Sequence, residues 1–210
     1  MSKVIEDLKW RYATKQFDAS RKISSEDFAI IKESLQLVPS SYGLQPLKYI
    51  IVESKELRKK LVPASYGQKQ VQEASHLIVI CSSQKMDEKQ IDEYLENVVK
   101  TRNVDIATTE GYGNFMKQTI SKMSEHEIKS WNDKQAYIAL GQLLHTCANL
   151  RIDATPMEGF DANQYAEILG INTEEYKVTL VCPIGYRHND DEAQHVQKVR
   201  KSLDDLFEVK

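Results

Sequence analysis

The stretch from Ser124 to about Leu150 constrains the fold more than any other part of this 210-residue chain. It opens on Ser124-Glu125-His126-Glu127, a capping box in which hydroxyl and carboxylate satisfy each other's free backbone amides. Behind it Ile128, Trp131, Ala136, Tyr137, Leu140, Leu143, Leu144 and Cys147 fall on most faces of a helix rather than on one stripe. A helix that is apolar nearly all round must be covered nearly all round. It is expected at the centre of the domain or of a dimer, and the rest of the chain must supply the layers that cover it.

Those layers can be read in outline. Ser24-Ser25-Glu26-Asp27 predicts a helix start, with Asp27 an imperfect substitute for the glutamate of a capping box. Phe28, Ile31, Leu35 and Val38 continue at helical spacing until Pro39 stops the helix. Residues 47–53 (LKYIIVE) predict a strand and 54–62 a short charged helix. Residues 76–82 (HLIVICS) are apolar on both faces, as a central strand must be. Residues 86–102 are amphipathic through Ile91, Leu95, Val98 and Val99. Asp161 predicts the cap of a helix ending at Gly170, and 176–185 (YKVTLVCPIG) a second buried strand. Leu203, Leu206 and Phe207 make the last residues too apolar for a free tail, so they should pack on something, a partner subunit included. No repeat or linker divides the chain, so residues 1–210 are expected to form one domain. Helices around a few strands imply a sandwich, and their order does not repeat the βαβ pattern of a dinucleotide fold.

Composition narrows the chemistry. Lys plus Arg (28) nearly balance Asp plus Glu (31), a net charge of -3. That argues against a nucleic-acid partner while leaving room for a local basic pocket. Eight glycines leave no material for a Gly-rich phosphate loop, and neither G-x-G-x-x-G nor a Walker A sequence occurs. No apolar run exceeds five residues, so no membrane span is expected, and the charged N-terminus lacks a leader's apolar stretch. Cys81, Cys147 and Cys182 are far apart and read as buried reduced thiols of a cytoplasmic protein. Histidines and cysteines show no zinc spacing, so no metal is expected.

What remains is a set of dispersed bases. Arg11 and Lys15 stand four apart and would share one face of a helical turn. Lys198 and Arg200 stand two apart and would share one face of an extended segment. Two such pairs converging would cradle a phosphate dianion, although ordinary surface bases have the same spacing. Residues 155–161 (TPMEGFD) place a glycine just ahead of a helix start. There, exposed amides suit an electron-rich ring nitrogen or carbonyl, unless the segment is only a turn into the helix. Residues 39–46 (PSSYGLQP) form a polar loop of the kind that usually only connects elements.

Five segments stand in order along the chain: residues 11–18 (RYATKQFD), Pro39-Ser40-Ser41 with Gln45-Pro46, Glu73-Ala74-Ser75-His76, residues 156–161 (PMEGFD), and Lys198-Val199-Arg200. In this order, over about residues 4–207, they resemble the FMN-dependent nitroreductase family, and within it the oxygen-insensitive NAD(P)H nitroreductases. The resemblance implies an α+β fold: an α/β sandwich with a mostly antiparallel central sheet flanked by helices. It implies a homodimer with the C-terminal tail exchanged between subunits and two FMN molecules at the interface. The implied chemistry is ping-pong transfer of two electrons from transiently bound NAD(P)H to nitroaromatic, quinone or similar flat acceptors, without nucleic-acid or membrane partners.

Carried over by position, Arg11, Lys198 and Arg200 are implied phosphate ligands, with Tyr12 and Ala13 beside them. Lys15 is implied as the catalytic cation near flavin N1 and O2. Pro156, Met157, Glu158 and Gly159 line the ring, with the Glu158 and Gly159 amides near N5 and O4. Pro39, Ser40 and Ser41 are implied to reach the flavin from the other subunit. Three positions depart from the family pattern. Ala13 stands where serine is common. Gly67 and Gln70 stand where relatives carry Asn and Lys, so Gln68 or Gln70 is the candidate for the pyrimidine edge. Leu47 replaces an aromatic residue beside Gln45-Pro46. Two alternatives to turnover with these acceptors are a flavin-storage protein of the same fold and a specialised relative such as a reductive dehalogenase.

Overall fold

The structure, a computed structural model, describes residues 2–210. It begins with helix α1 (Lys3–Trp10) and, after an extended segment, α2 (Ser25–Gln36). Strand β1 (Leu47–Val52), helices α3 (Lys55–Ala64) and α4 (Gln70–Glu73) and strand β2 (His76–Ser83) follow. Helices α5 (Glu88–Arg102), α6 (Glu110–Ile120) and α7 (Glu125–Asn149) come next. The chain closes with β3 (Asp153–Ala154), α8 (Ala162–Leu169), β4 (Tyr176–Gly185) and the one-turn helix α9 (Leu203–Leu206). The sheet runs β1-β2-β4-β3 with every pair antiparallel, so the expected α+β sandwich is borne out.

β2 is the hub. Ile78 and Ile80 on one face pack with Ile31 and Leu35 of α2 and Ala139 and Leu143 of α7. Leu77, Val79 and Cys81 on the other pack with Leu61 of α3 and Tyr165 and Ala166 of α8. All five strand residues are fully buried, which is why no polar residue alternates in this run. The three cysteines are free and buried, as expected.

Caps fix the helix starts where the sequence places them. Ser124 and Glu127 exchange the two bonds of a capping box, Ser24 accepts from the Asp27 amide, and Asp161 accepts from Asn163 and Gln164. Gly170 ends α8 with φ 65°, a left-handed conformation that glycine adopts at no steric cost. α2 stops at Gln36 rather than running to Pro39, and α3 extends to Ala64 with Pro63 in its last turn.

Two expectations are not met within one chain. α7 buries Asn132, Gln135, Ala136, Ala139, Leu140, Leu143, Cys147 and Ala148, while Tyr137 (47% exposed) and Ile138 (45%) face outward. The helix is therefore covered on one side only. Leu203, Leu206 and Phe207 are likewise exposed (73%, 58% and 69%) and join none of the core clusters. α1 carried no recognisable signal because its apolar residues Val4, Ile5 and Leu8 point outward and its one buried side chain is Asp7.

The closest backbone approach falls at Gly185, the end of β4. A Cβ there would meet the Ser75 backbone nitrogen at 2.8 Å and Phe17 at 3.1 Å. Ser75 is main chain and cannot rotate away, so Gly185→Ala should destabilise by about 1–3 kcal/mol. In a chain of this size that lowers the melting midpoint by roughly 2–4 °C per kcal/mol. Thermal unfolding checks it, and an unchanged midpoint would show that the approach is not tight.

Candidate functional site

The N-terminal motif and the C-terminal segment form an antiparallel clasp beside β3. Asp18 donates its amide to Tyr186 O at 2.8 Å, Phe17 bridges Arg187, and His188 donates to Gln16 O at 3.0 Å. Asp191 closes it, as Oδ2 accepts from Tyr12 Oη (2.9 Å), Lys15 N (2.8 Å) and Gln16 N (3.2 Å), and Oδ1 accepts from Ala193 N (3.1 Å). Farther along, Lys198 Nζ donates to Arg11 O. On the other side Ala13 bridges Ala154 of β3, and Thr155 Oγ1 donates to Thr14 O at 2.6 Å.

This pairing corrects the helical-turn expectation for Arg11 and Lys15. α1 ends at Trp10, and Arg11 is extended (φ -70°, ψ 142°) because residues 11–18 pair sideways with two neighbours. What converges is Arg11, Lys198 and Arg200. Burial and the nearby Arg200 lower the Arg11 pKa from its usual value. Burial, then Arg11, Arg200 and Arg187, lower that of Lys198. No carboxylate among the described residues pairs with Arg11, Lys198 or Arg200, whereas Arg187 is held by Asp153 at 2.6 and 2.9 Å. Arg187 also lies over the rings of Trp10 (4.3 Å) and Tyr12 (4.6 Å), fixing the end of α1 from which Arg11 springs. Cys182 is buried near Arg11, and burial pushes its thiol up to about 12, so it supplies no counter-charge.

The second part of the site is the loop before α8. Met157 is buried and pairs with Val181 through two backbone bonds of 2.8 and 3.1 Å, and Asp161 N donates to Ala64 O at 2.8 Å. Between these anchors two side chains hold the tip. Gln68 Nε2 donates to Gly159 O (2.8 Å) and Ser65 O (3.1 Å), and Tyr137 Oη donates to Glu158 Oε1 (2.8 Å). The Glu158 and Gly159 amides have no acceptor among the described residues. The turn presenting Gln68 needs φ 53° at Tyr66 and 79° at Gly67, and glycine relieves the second of these.

Other expected residues fall differently. Lys15 is exposed with its backbone fixed by Asp191. Gln70 is buried in α4, and Pro156 is half-buried. Pro39, Ser40 and Ser41 meet none of the residues above. Ser41 N donates to Gln135 Oε1 at 2.9 Å, and Gln135 lies about 200° around α7 from Tyr137. Clefts of about 480 Å³ between α5 and α6 and about 460 Å³ beside the start of α7 lie elsewhere and contain none of these residues. Asp191, the Asp153–Arg187 pair, Tyr137 and Gln135 were not anticipated, since nothing local marks the distant partners they hold.

The Nitroreductase family matches this chain over residues 8–186. A Staphylococcus epidermidis protein provisionally named NAD(P)H nitroreductase is 36% identical, over 97% of this chain and 95% of that one. The major NAD(P)H-flavin oxidoreductase of Aliivibrio fischeri is 31% identical over 98% of each chain. Among solved structures, a protein of Exiguobacterium sibiricum in complex with FMN superposes with TM-score 0.85 and 22% identity, covering 100% of this chain and 98% of its own. A nitroreductase family protein of Streptococcus pneumoniae gives 0.81 and 22%, covering 99% and 100%. The antiparallel sandwich is the fold they share. This chain belongs to the nitroreductase family, as its five segments in register indicated.

Burial alone would raise the Asp191 pKa, but the Lys15, Tyr12, Gln16 and Ala193 donors outweigh it and bring it below the usual carboxylate value. A carboxyl depressed on folding contributes stability above its unfolded pKa and loses it as pH falls through the folded pKa. The melting-midpoint gap between the wild-type protein and Asp191→Asn should therefore be largest near neutrality and close below about pH 4. A gap independent of pH would assign the effect to shape rather than charge.

Proposed function

We propose that the protein is an FMN-dependent oxidoreductase that takes two electrons from NAD(P)H and delivers them to nitroaromatic, quinone or similar flat acceptors. The observation that carries this reading is the cluster of Arg11, Lys198 and Arg200 without a carboxylate of its own. Three converging cations are costly unless an anion joins them, and a phosphate dianion matches two guanidinium forks and an ammonium. The free amides of Glu158 and Gly159 fit the polar edge of a flavin ring in the same way. The names of the relatives, which include an NAD(P)H-flavin oxidoreductase, support the same cofactor and electron donor.

Bound FMN would supply hydride acceptance and two-electron exchange, in two successive half-reactions. The chain's own residues do the rest. Arg11, Lys198 and Arg200 hold the phosphate, whose charge does not change with redox state. Lys15 would stand at the ring edge, where a cation would favour the reduced state. Glu158 and Gly159 orient the ring by donating from the main chain, and Gln68 and Tyr137 keep those donors in place.

We place the site between two copies of this chain. The exposed side of α7, the outward residues of α1 and the apolar tail offer surface for a second subunit, and Ser41 is held on the far side of α7 from Glu158. The protein should be dimeric at micromolar concentration, with an interface above roughly 2,000 Å². Deleting residues 203–210 should weaken dimer and flavin retention together. Light scattering checks this, and a monomer that still holds FMN tightly would contradict it.

The protein should purify yellow with one FMN per chain. Arg200→Ala should weaken FMN binding in both redox states by about ten- to a hundredfold, the loss of one charge-assisted contact. Lys15→Ala should retain more oxidised FMN yet lower the flavin potential, by roughly 30 mV per 1.4 kcal/mol of lost stabilisation. Dye equilibration measures it. An unchanged potential with lost cofactor would make Lys15 another phosphate ligand.

A further inference from the structure

We infer that Asp191 is the positioning residue of the cofactor site, setting where Lys15 stands relative to the phosphate-binding cations; this rests on the FMN reading above. Asp191 is 3% exposed, and its two oxygens accept four hydrogen bonds. Capping the 192–195 turn requires only the bond from Ala193 N. The other three donors, Tyr12 Oη, Lys15 N and Gln16 N, come from the opposite end of the sequence. The same carboxylate thus grips the main chain of Lys15 and begins the segment that leads to Lys198 and Arg200. Like charges in that cluster push the two arms of the clasp apart, and the Asp191 bonds resist the separation.

The chemistry demands a carboxylate. Both oxygens face donors, so an amide at this position must turn its own NH2 group toward at least one N–H or O–H. Asp191→Asn should therefore loosen residues 12–16 without emptying the core, whose two clusters are apolar and meet at β2.

The test uses the full-length protein as purified, with hydrogen–deuterium exchange and equilibrium binding of FMN and riboflavin. In Asp191→Asn the Lys15 and Gln16 amides should exchange at least about tenfold faster while β2 amides keep their protection. The preference for FMN over riboflavin should fall about tenfold or more, and the flavin potential should move in the direction produced by Lys15→Ala. A merely structural role would leave the potential where it was. If β2 protection is also lost, Tyr12→Phe, which removes one of the four bonds, should move the same three quantities in the same direction by a few-fold. Unchanged Lys15 and Gln16 exchange, or an FMN preference and potential that survive Asp191→Asn, overturns the inference alone. A wild-type protein with no preference for FMN over riboflavin overturns the phosphate reading and the inference with it.

Discussion

Arg11, Lys198 and Arg200 repel one another, and the surrounding architecture is what keeps them together. Burial first, and then the neighbouring cations, lowers the pKa values of Arg11 and Lys198. Against the repulsion stand the hydrogen bonds of the clasp, the Asp153–Arg187 pair and the stacking of Arg187 on Trp10 and Tyr12. None of these is a large apolar contact. Main-chain pairing is the right means for this task, because it fixes cations without neutralising them. A carboxylate placed among the three would have stabilised the cluster and cancelled the positive charge on which the proposed phosphate site rests.

The sheet and α7 supply the rigid frame. β4 carries Met157 on one bond pair and passes Gly185 beneath Ser75 and Phe17, so the clasp and the Glu158–Gly159 loop are both anchored to one strand. α7 extends the frame on two faces. Gln135 points inward and holds the Ser41 amide, while Tyr137 points outward and holds Glu158. Within one chain the Ser41 and Glu158 segments are thus tied to different faces of α7. That separation is the geometric reason for proposing a second copy.

The parts of the molecule governed by local chemistry were legible from the sequence. Capping at Ser124 and Asp161, the Gly170 terminator and the doubly buried β2 each follow from residues within a few positions of one another. α6 was not, because Gly111 and Gly113 break its pattern, and Gly113 is there for the close approach of Leu95. The five site segments stand in order along the chain, and four of them lie within the family match over residues 8–186. Their mutual geometry was beyond local reasoning. Four-residue spacing suggested a helical face for Arg11 and Lys15, whereas pairing with residues 186–191 and Ala154 draws the segment out straight. Asp191 sits in an ordinary polar turn, and nothing near it discloses that its partners lie about 176 residues away. The outward face of α7 read as buried because it carries Tyr137 and Ile138, yet both are exposed in the single chain.

A crystal structure of the protein with FMN bound tests the central claim most directly. The cofactor phosphate should contact Arg11, Lys198 and Arg200 of a single clasp, with the flavin ring meeting the Glu158 and Gly159 amides. A phosphate bound away from all three cations would contradict it.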